Sequence, residues 1–164
     1  KGLMVDPITN MPVIILKDKE GERVLPIWVG IFEANAIALE MEQVSTPRPM
    51  THDLLKNIIE GFQAQVARIV VNDLKDNTFY AVITINLNGS EVLIDARPSD
   101  AIALALRVNA PIFVAEKVIE EAKSIEFTEQ VASGEREAEN MPESDDWKKW
   151  LENLKPEDFG KYEI

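Results

Sequence analysis

The sequence predicts an α+β domain: a mixed sheet with helices, built around a repeated strand–strand–helix unit. Three observations carry this. Short β-branched runs bounded by turn residues alternate with stretches of helical period. Pairs of strands are joined by short polar loops, as hairpins require. A run with Val24-Leu25 and then Ala36-Ile37-Ala38-Leu39 also recurs as Val92-Leu93 and Ala101-Ile102-Ala103-Leu104, each copy a hairpin feeding a helix.

The elements follow in order. Val13-Ile14-Ile15-Leu16 and Val24-Leu25-Pro26-Ile27-Trp28-Val29 are strands, joined by the polar, glycine-containing loop Lys17 to Glu22. Ala34, Ile37, Ala38, Met41 and Val44 fall on one helical face, predicting a helix over 34–44. Thr46-Pro47-Arg48-Pro49 interrupts the chain. Thr51 is then the expected N-cap of a second helix, with Leu54, Leu55, Ile58, Ile59 and Phe62 as its apolar stripe. His52 aligns with the inward edge of that stripe, and Asp53 points with Lys56 and Glu60 toward solvent.

Three strands are predicted at 66–72, 78–87 and 91–95, separated by Asp76-Asn77 and Asn88-Gly89. Arg97-Pro98-Ser99-Asp100 opens a third helix over 99–108, which is apolar on every side from Ala101 to Leu106. Such a helix is buried all round, under sheet and helices or in a subunit interface. Ile112-Phe113-Val114 is a last strand, and a helix near 116–123 closes the body.

The chain thus divides into a domain over 1–123, an acidic linker over 124–146 and a C-terminal segment over 147–164. Residues 128–146 are rich in Glu, Ser, Gly and Pro, a linker composition. Trp147, Trp150, Leu151 and Leu154 share one face of a short amphipathic helix, expected over 145–155, which needs a surface to dock on.

The chain has 164 residues, enough for a real core. It has no cysteine, which excludes a disulfide framework, a thiolate metal site and a cysteine nucleophile. A single histidine excludes paired-histidine acid–base chemistry. No apolar run is long enough to span a membrane and no secretory leader is visible, so the expected compartment is the cytoplasm. The net charge is −12. Residues 1–122 carry 11 basic and 17 acidic side chains, and residues 123–164 carry 6 and 12, so each part is at −6. This weighs against bulk electrostatic binding of nucleic acid but leaves room for a local basic site.

Two similar helix starts stand out: Arg48-Pro49-Met50-Thr51-His52-Asp53 and Arg97-Pro98-Ser99-Asp100. A helix N-terminus offers unpaired N–H groups and a positive dipole end, and an arginine before it adds a bidentate donor for phosphate. If the two turns converge, they could hold a phosphodiester. Ordinary helix caps and local ion pairs explain the same residues without any ligand. His52 at a helix start is suited to act as a base or a metal ligand, or is a half-buried histidine satisfied by backbone. Asp53, Asp95 and Asp100 would suit Mg²⁺ or Mn²⁺ if brought together. Glu33 and Glu40 lie about 10 Å apart along a helix, too far to chelate one ion by themselves.

Leu25-Pro26-Ile27-Trp28-Val29-Gly30, with Glu33-Ala34 and Ala36-Ile37-Ala38, resembles the bifunctional nuclease domain family, long described as a domain of unknown function. So do Arg48-Pro49-Met50-Thr51-His52-Asp53-Leu54-Leu55, the stretch Asp73-Leu74 through Thr78-Phe79-Tyr80-Ala81, and above all Ile94-Asp95-Ala96-Arg97-Pro98-Ser99-Asp100-Ala101-Ile102-Ala103-Leu104-Ala105. These motifs span about residues 2–122. The ending Leu151 to Phe159 looks like a tail of bacterial members; the UvrB/UvrC-type motif of other members is not seen. The resemblance implies a mixed α/β fold and hydrolysis of both RNA and DNA, as in plant relatives. The matching positions able to do chemistry are Glu33, Arg48, His52, Asp53, Asp95, Arg97, Ser99 and Asp100.

The leading expectation is therefore a nuclease. Arg48, Arg97 and Ser99 would contact substrate, and His52, Asp53, Arg97 and Asp100 would act in catalysis. Glu33, Asp53, Asp95 and Asp100 would hold a divalent ion. A homo-oligomer, a dimer first, is expected as well. The alternative is a non-enzymatic oligomeric regulator that binds a small anion at the same helix starts.

Overall fold

The computed structural model describes residues 2–6, 9–19 and 23–122. The readings over 124–146 and 147–164 lie outside the described residues. The described chain forms two compact units that divide between Asn35 and Ala36. No helix among the described residues is long and apolar enough to cross a membrane.

The first unit is a three-stranded antiparallel meander of β1 (Gly2–Val5), β2 (Pro12–Lys17) and β3 (Val24–Trp28), in that spatial order. β2 is central and its apolar run is buried from Pro12 through Leu16. β3 tolerates Pro26 because it is an edge strand, where a missing N–H breaks no ladder bond. Asp6 fastens the β1–β2 loop, accepting from the Thr9 hydroxyl at 2.6 Å and from the Trp28 indole N–H at 3.1 Å. Sequence reading found β2 and β3 and missed β1, whose four residues are too few to show a period. α1 (Ile31–Met41) crosses from the first unit into the second, three residues earlier than predicted.

The second unit contains α2 (Thr51–Gly61), β4 (Gln65–Lys75), β5 (Thr78–Leu87), β6 (Ser90–Ala96), α3 (Pro98–Val108) and β7 (Ile112–Val114), then a helical stretch over 116–122. Its sheet runs in the order β6-β5-β4-β7, with β7 parallel to β4 and the other pairs antiparallel. Both hairpin turns use paired left-handed residues, as their sequences require: Asp76-Asn77 (φ 48°, 58°) and Asn88-Gly89 (φ 51°, 83°). β4 runs three residues beyond its predicted end because register shifts near Arg68 and Asp73 absorb the polar positions without breaking the pairing.

α3 packs on β4, β5 and α2, and residues Ala101–Ala105 are all buried. Its all-round apolar composition is thus explained within this unit by sheet and helix, the first of the two alternatives. Asn109 ends it in the left-handed conformation (φ 53°), and the next N–H, that of Ala110, closes onto the Ala105 carbonyl at 2.9 Å. The strand–strand–helix order occurs twice, as β2-β3-α1 and β5-β6-α3; order alone does not establish a duplication.

α2 departs most from its prediction. Thr51 is the first helical residue and Met50 takes the cap position. The cap bond comes from the other direction: the Asp53 carboxylate accepts the Met50 N–H at 2.8 Å, the glutamate-like half of a capping box. The apolar stripe also faces outward. Leu54, Leu55, Ile58 and Phe62 are exposed, while His52 is buried and Asp53, Lys56 and Ile59 are half-buried. Asp53 therefore points inward, not to solvent. The inward face of α2 is polar because it meets a charge on α3.

Candidate active site

The starts of α2 and α3 meet. His52, one residue into α2, lies with its Nε2 3.1 Å from Oδ1 of Asp100 in the first turn of α3. Arg97, which immediately precedes α3, donates its Nε–H to the other oxygen of Asp100 at 2.7 Å. The local sequence dictates these positions. Pro98 presets the first helical φ, which puts Asp100 three residues after Arg97 on the same face. His52 occupies the inward side of α2, and its ring is buried up to the Asp100 contact.

Burial pushes the Asp100 carboxyl up, but the hydrogen bonds from Arg97 and His52 outweigh it and hold the group below the usual carboxylate range. Asp100 is thus an anion with both oxygens engaged, one to a cation exposed to solvent and one to an imidazole. Arg97 is 65% exposed and presents its guanidinium at the surface of this cluster. In neutral imidazole one nitrogen donates and the other accepts, and the anion beside Nε2 fixes which. In the tautomer that donates Nε2–H to this anion, Nδ1 is the accepting nitrogen.

A second contact lies one residue further along α2. Oδ1 of Asp53 accepts from Nε of Arg107 at 2.5 Å, and Nη1 of Arg107 donates to the Ala103 carbonyl at 2.9 Å. The Arg107 side chain is 4% exposed. Burial raises the Asp53 carboxyl, yet the bonds from Arg107 and the Met50 N–H bring it below its ordinary value. Beside this pair, α2 and the end of α3 line a cleft of about 650 Å³ that includes Lys56, Glu60, Gln63, Gln65, Arg107 and Asn109. Sequence reading missed Arg107. The signal was available: an arginine that follows the all-apolar run Ala101–Leu106 in the last turn of a helix needs a buried partner.

The other named residues are placed as follows. Ser99 is buried in the first turn of α3, and its neighbour Asp100 carries the exposed contact. Asp95 is exposed near the end of β6, opposite Val82. Arg48 is exposed in the loop before α2, and its carbonyl accepts the Thr46 hydroxyl at 2.8 Å. Glu33 stands in the first turn of α1, with its carboxylate folded over Gly30. Among the described residues no three His, Cys, Asp or Glu side chains group to hold a metal ion. Both oxygens of Asp53 are used by Met50 and Arg107, and both of Asp100 by His52 and Arg97.

Two Mycobacterium tuberculosis proteins, named only as uncharacterized, are each 38% identical over 161 residues, covering 96% of this chain and 94% of theirs. Bifunctional nuclease 1 of Arabidopsis thaliana is 31% identical over 107 residues, and that of Oryza sativa subsp. japonica 26% over 109. These matches cover 63% and 64% of this chain but 33% of each plant protein. The family model of the bifunctional nuclease domain matches residues 14–126, a span that includes both helix starts. The chain belongs to the bifunctional nuclease domain family.

Proposed function

We propose that this protein is a nuclease that hydrolyses phosphodiester bonds of RNA and DNA at the joined starts of α2 and α3. The observation that carries the reading is the His52–Asp100–Arg97 constellation: a base, the anion that orients it, and an exposed cation beside two helix N-termini. The plant relatives named as bifunctional nucleases support the reaction class.

The chain's own groups divide the work. Asp100 holds the Nε2–H of His52, so Nδ1 takes a proton from the attacking water, and the leaving oxygen is protonated by solvent. The Arg97 guanidinium binds phosphate oxygens and meets the charge that develops on them. The positive end of the α3 dipole adds partial positive charge at the same place. Asp53 acts as a positioning residue, fixing the first turn of α2 through Met50 and Arg107. Arg48 provides a further phosphate contact from the exposed loop. A divalent ion, Mg²⁺ or Mn²⁺, stays a variable of the assay, and no step is routed through one. We also propose that the protein is cytoplasmic and works as a homo-oligomer, a dimer first.

The test is cleavage of labelled single-stranded RNA and DNA by highly purified protein. Wild type is compared with His52→Ala and Arg97→Ala, in EDTA and with each metal. Cleavage that both substitutions abolish supports the reading. Cleavage that survives both places the activity elsewhere or in a contaminant. Phosphate binding without any cleavage favours the regulator that takes a small anion.

A further inference from the structure

We infer that the outward face of α2 is the contact between two copies of this chain. This names the surface for the dimer proposed above and does not depend on the chemistry of the His52 site. α2 is strongly amphipathic, yet its polar side faces its own fold. His52, Asp53 and Lys56 turn inward, and the inward charge is matched by Asp100 and Arg107. The apolar side carries Met50, Leu54, Leu55, Ile58 and Phe62, between 41% and 71% exposed. A helix that directs its apolar face away from its own core is built to be covered.

Three features select a second copy as the cover. The stripe itself carries no charge: Asp53 and Lys56 are half-buried on the inward side, and the exposed Glu60 lies on the helix face away from Ile58. In a chain of net charge −12, an uncharged patch is where two copies can meet without repulsion. The stripe is also self-complementary. Leu54, Ile58 and Phe62 are evenly spaced, so an antiparallel pairing about a two-fold axis at Ile58 seats Leu54 against the partner's Phe62, and the reverse. Finally, Gly61 lies on the exposed side of α2 with open space where a side chain would stand. A glycine there weakens the helix but lets a second backbone approach closely. The stripe accounts for on the order of half of the ~800 Å² that each partner contributes to a standard interface, and its flanks supply the rest. Along the axis, six residues on either side of Ile58 set the two His52 sites roughly 18 Å apart.

The absence of cysteine makes the test clean. Full-length wild type should sediment as a dimer at micromolar concentration, and Ile58→Glu should halve the mass while its circular dichroism stays native. Ile58→Cys, on the axis, should give a covalent dimer on mild oxidation, and Lys56→Cys, on the inward face, should not. A monomeric wild type overturns the inference. So does an Ile58→Glu protein that remains dimeric, or cross-linking that is equal at both positions. Cleavage of RNA measured on the same Ile58→Glu protein separates this result from that of the nuclease reading.

Discussion

Arg107, in the last turn of α3, places its buried guanidinium against the Asp53 carboxylate in the first turn of α2, 54 positions earlier in the chain. The same carboxylate accepts the Met50 N–H. One aspartate thus ends one helix's cap and neutralises another helix's only buried charge.

This pair makes the first prediction. Arg107→Ala strands Asp53 and removes a cation that has no other outlet to water. Asp53 is half-buried and keeps the Met50 N–H, so the cost should be about 1.5–3 kcal/mol, the range for a lost hydrogen bond to a charged group. Thermal unfolding by circular dichroism measures it. A drop in Tm of only one or two degrees would show that the pair is dispensable. Arg107→Lys should recover part of the loss, because a lysine supplies charge without the second bond to the Ala103 carbonyl.

Arg97→Ala should behave in the opposite way. Its guanidinium is mostly exposed, and exposed ion pairs contribute roughly 0–1 kcal/mol. The variant should fold with nearly unchanged stability and lose phosphate binding and cleavage. Titration with inorganic phosphate, followed by NMR shifts at residues 97–101, reads the binding. Unchanged affinity would remove Arg97 from substrate recognition.

Asp100→Asn keeps the shape of the cluster and removes the charge that orients His52. Turnover should fall by on the order of 10²-fold or more, with a smaller change in KM, because general-base contributions are of that size. A fall in KM-dependent binding alone would mean that Asp100 serves Arg97 rather than His52.

The pH dependence follows from the depressed carboxylates. Asp73 is bridged by Lys117 and Lys75 at 2.7 and 2.6 Å, and these bonds hold it at about 2, below its ordinary 3.8. A carboxyl lowered on folding stabilises the fold above its unfolded value, and that stability is lost as pH falls through the folded value. Asp53 and Asp100 shift in the same direction. Stability should therefore be level above about pH 5 and decline between pH 4 and 2, and Asp73→Asn should flatten part of that decline. Urea midpoints measured across this range decide it.

The strands and the two helix starts were legible because local chemistry determines them. Asn88-Gly89 demands a tight hairpin, and Arg97-Pro98-Ser99-Asp100 reads as a helix start before anything else is known. The encounter of His52 with Asp100 was legible only as a condition, since no local rule brings positions 48 residues apart together. The orientation of α2 was misread because periodicity reports which residues share a face, not which face meets the core. An apolar stripe is the core side only when the chain is its own partner. Arg107 escaped notice for a related reason: its partner sits on a helix whose polar side was assigned to water.

The way β7 joins its sheet sets the sequence in which this unit assembles. β4, β5 and β6 are neighbours along the chain, tied by two-residue turns, so they can form from local encounters. β7 pairs in parallel with β4, Ile112 beside Ile69, and can do so only after α3 has crossed the sheet. Distant pairings of this kind form slowly. On this ground β4–β6 should pair first and β7 with the 116–122 stretch last, and native-state hydrogen exchange should release that end before the hairpins. The contact between His52 and Asp100 also waits on the α3 crossing, which makes the site one of the last things the folding chain completes.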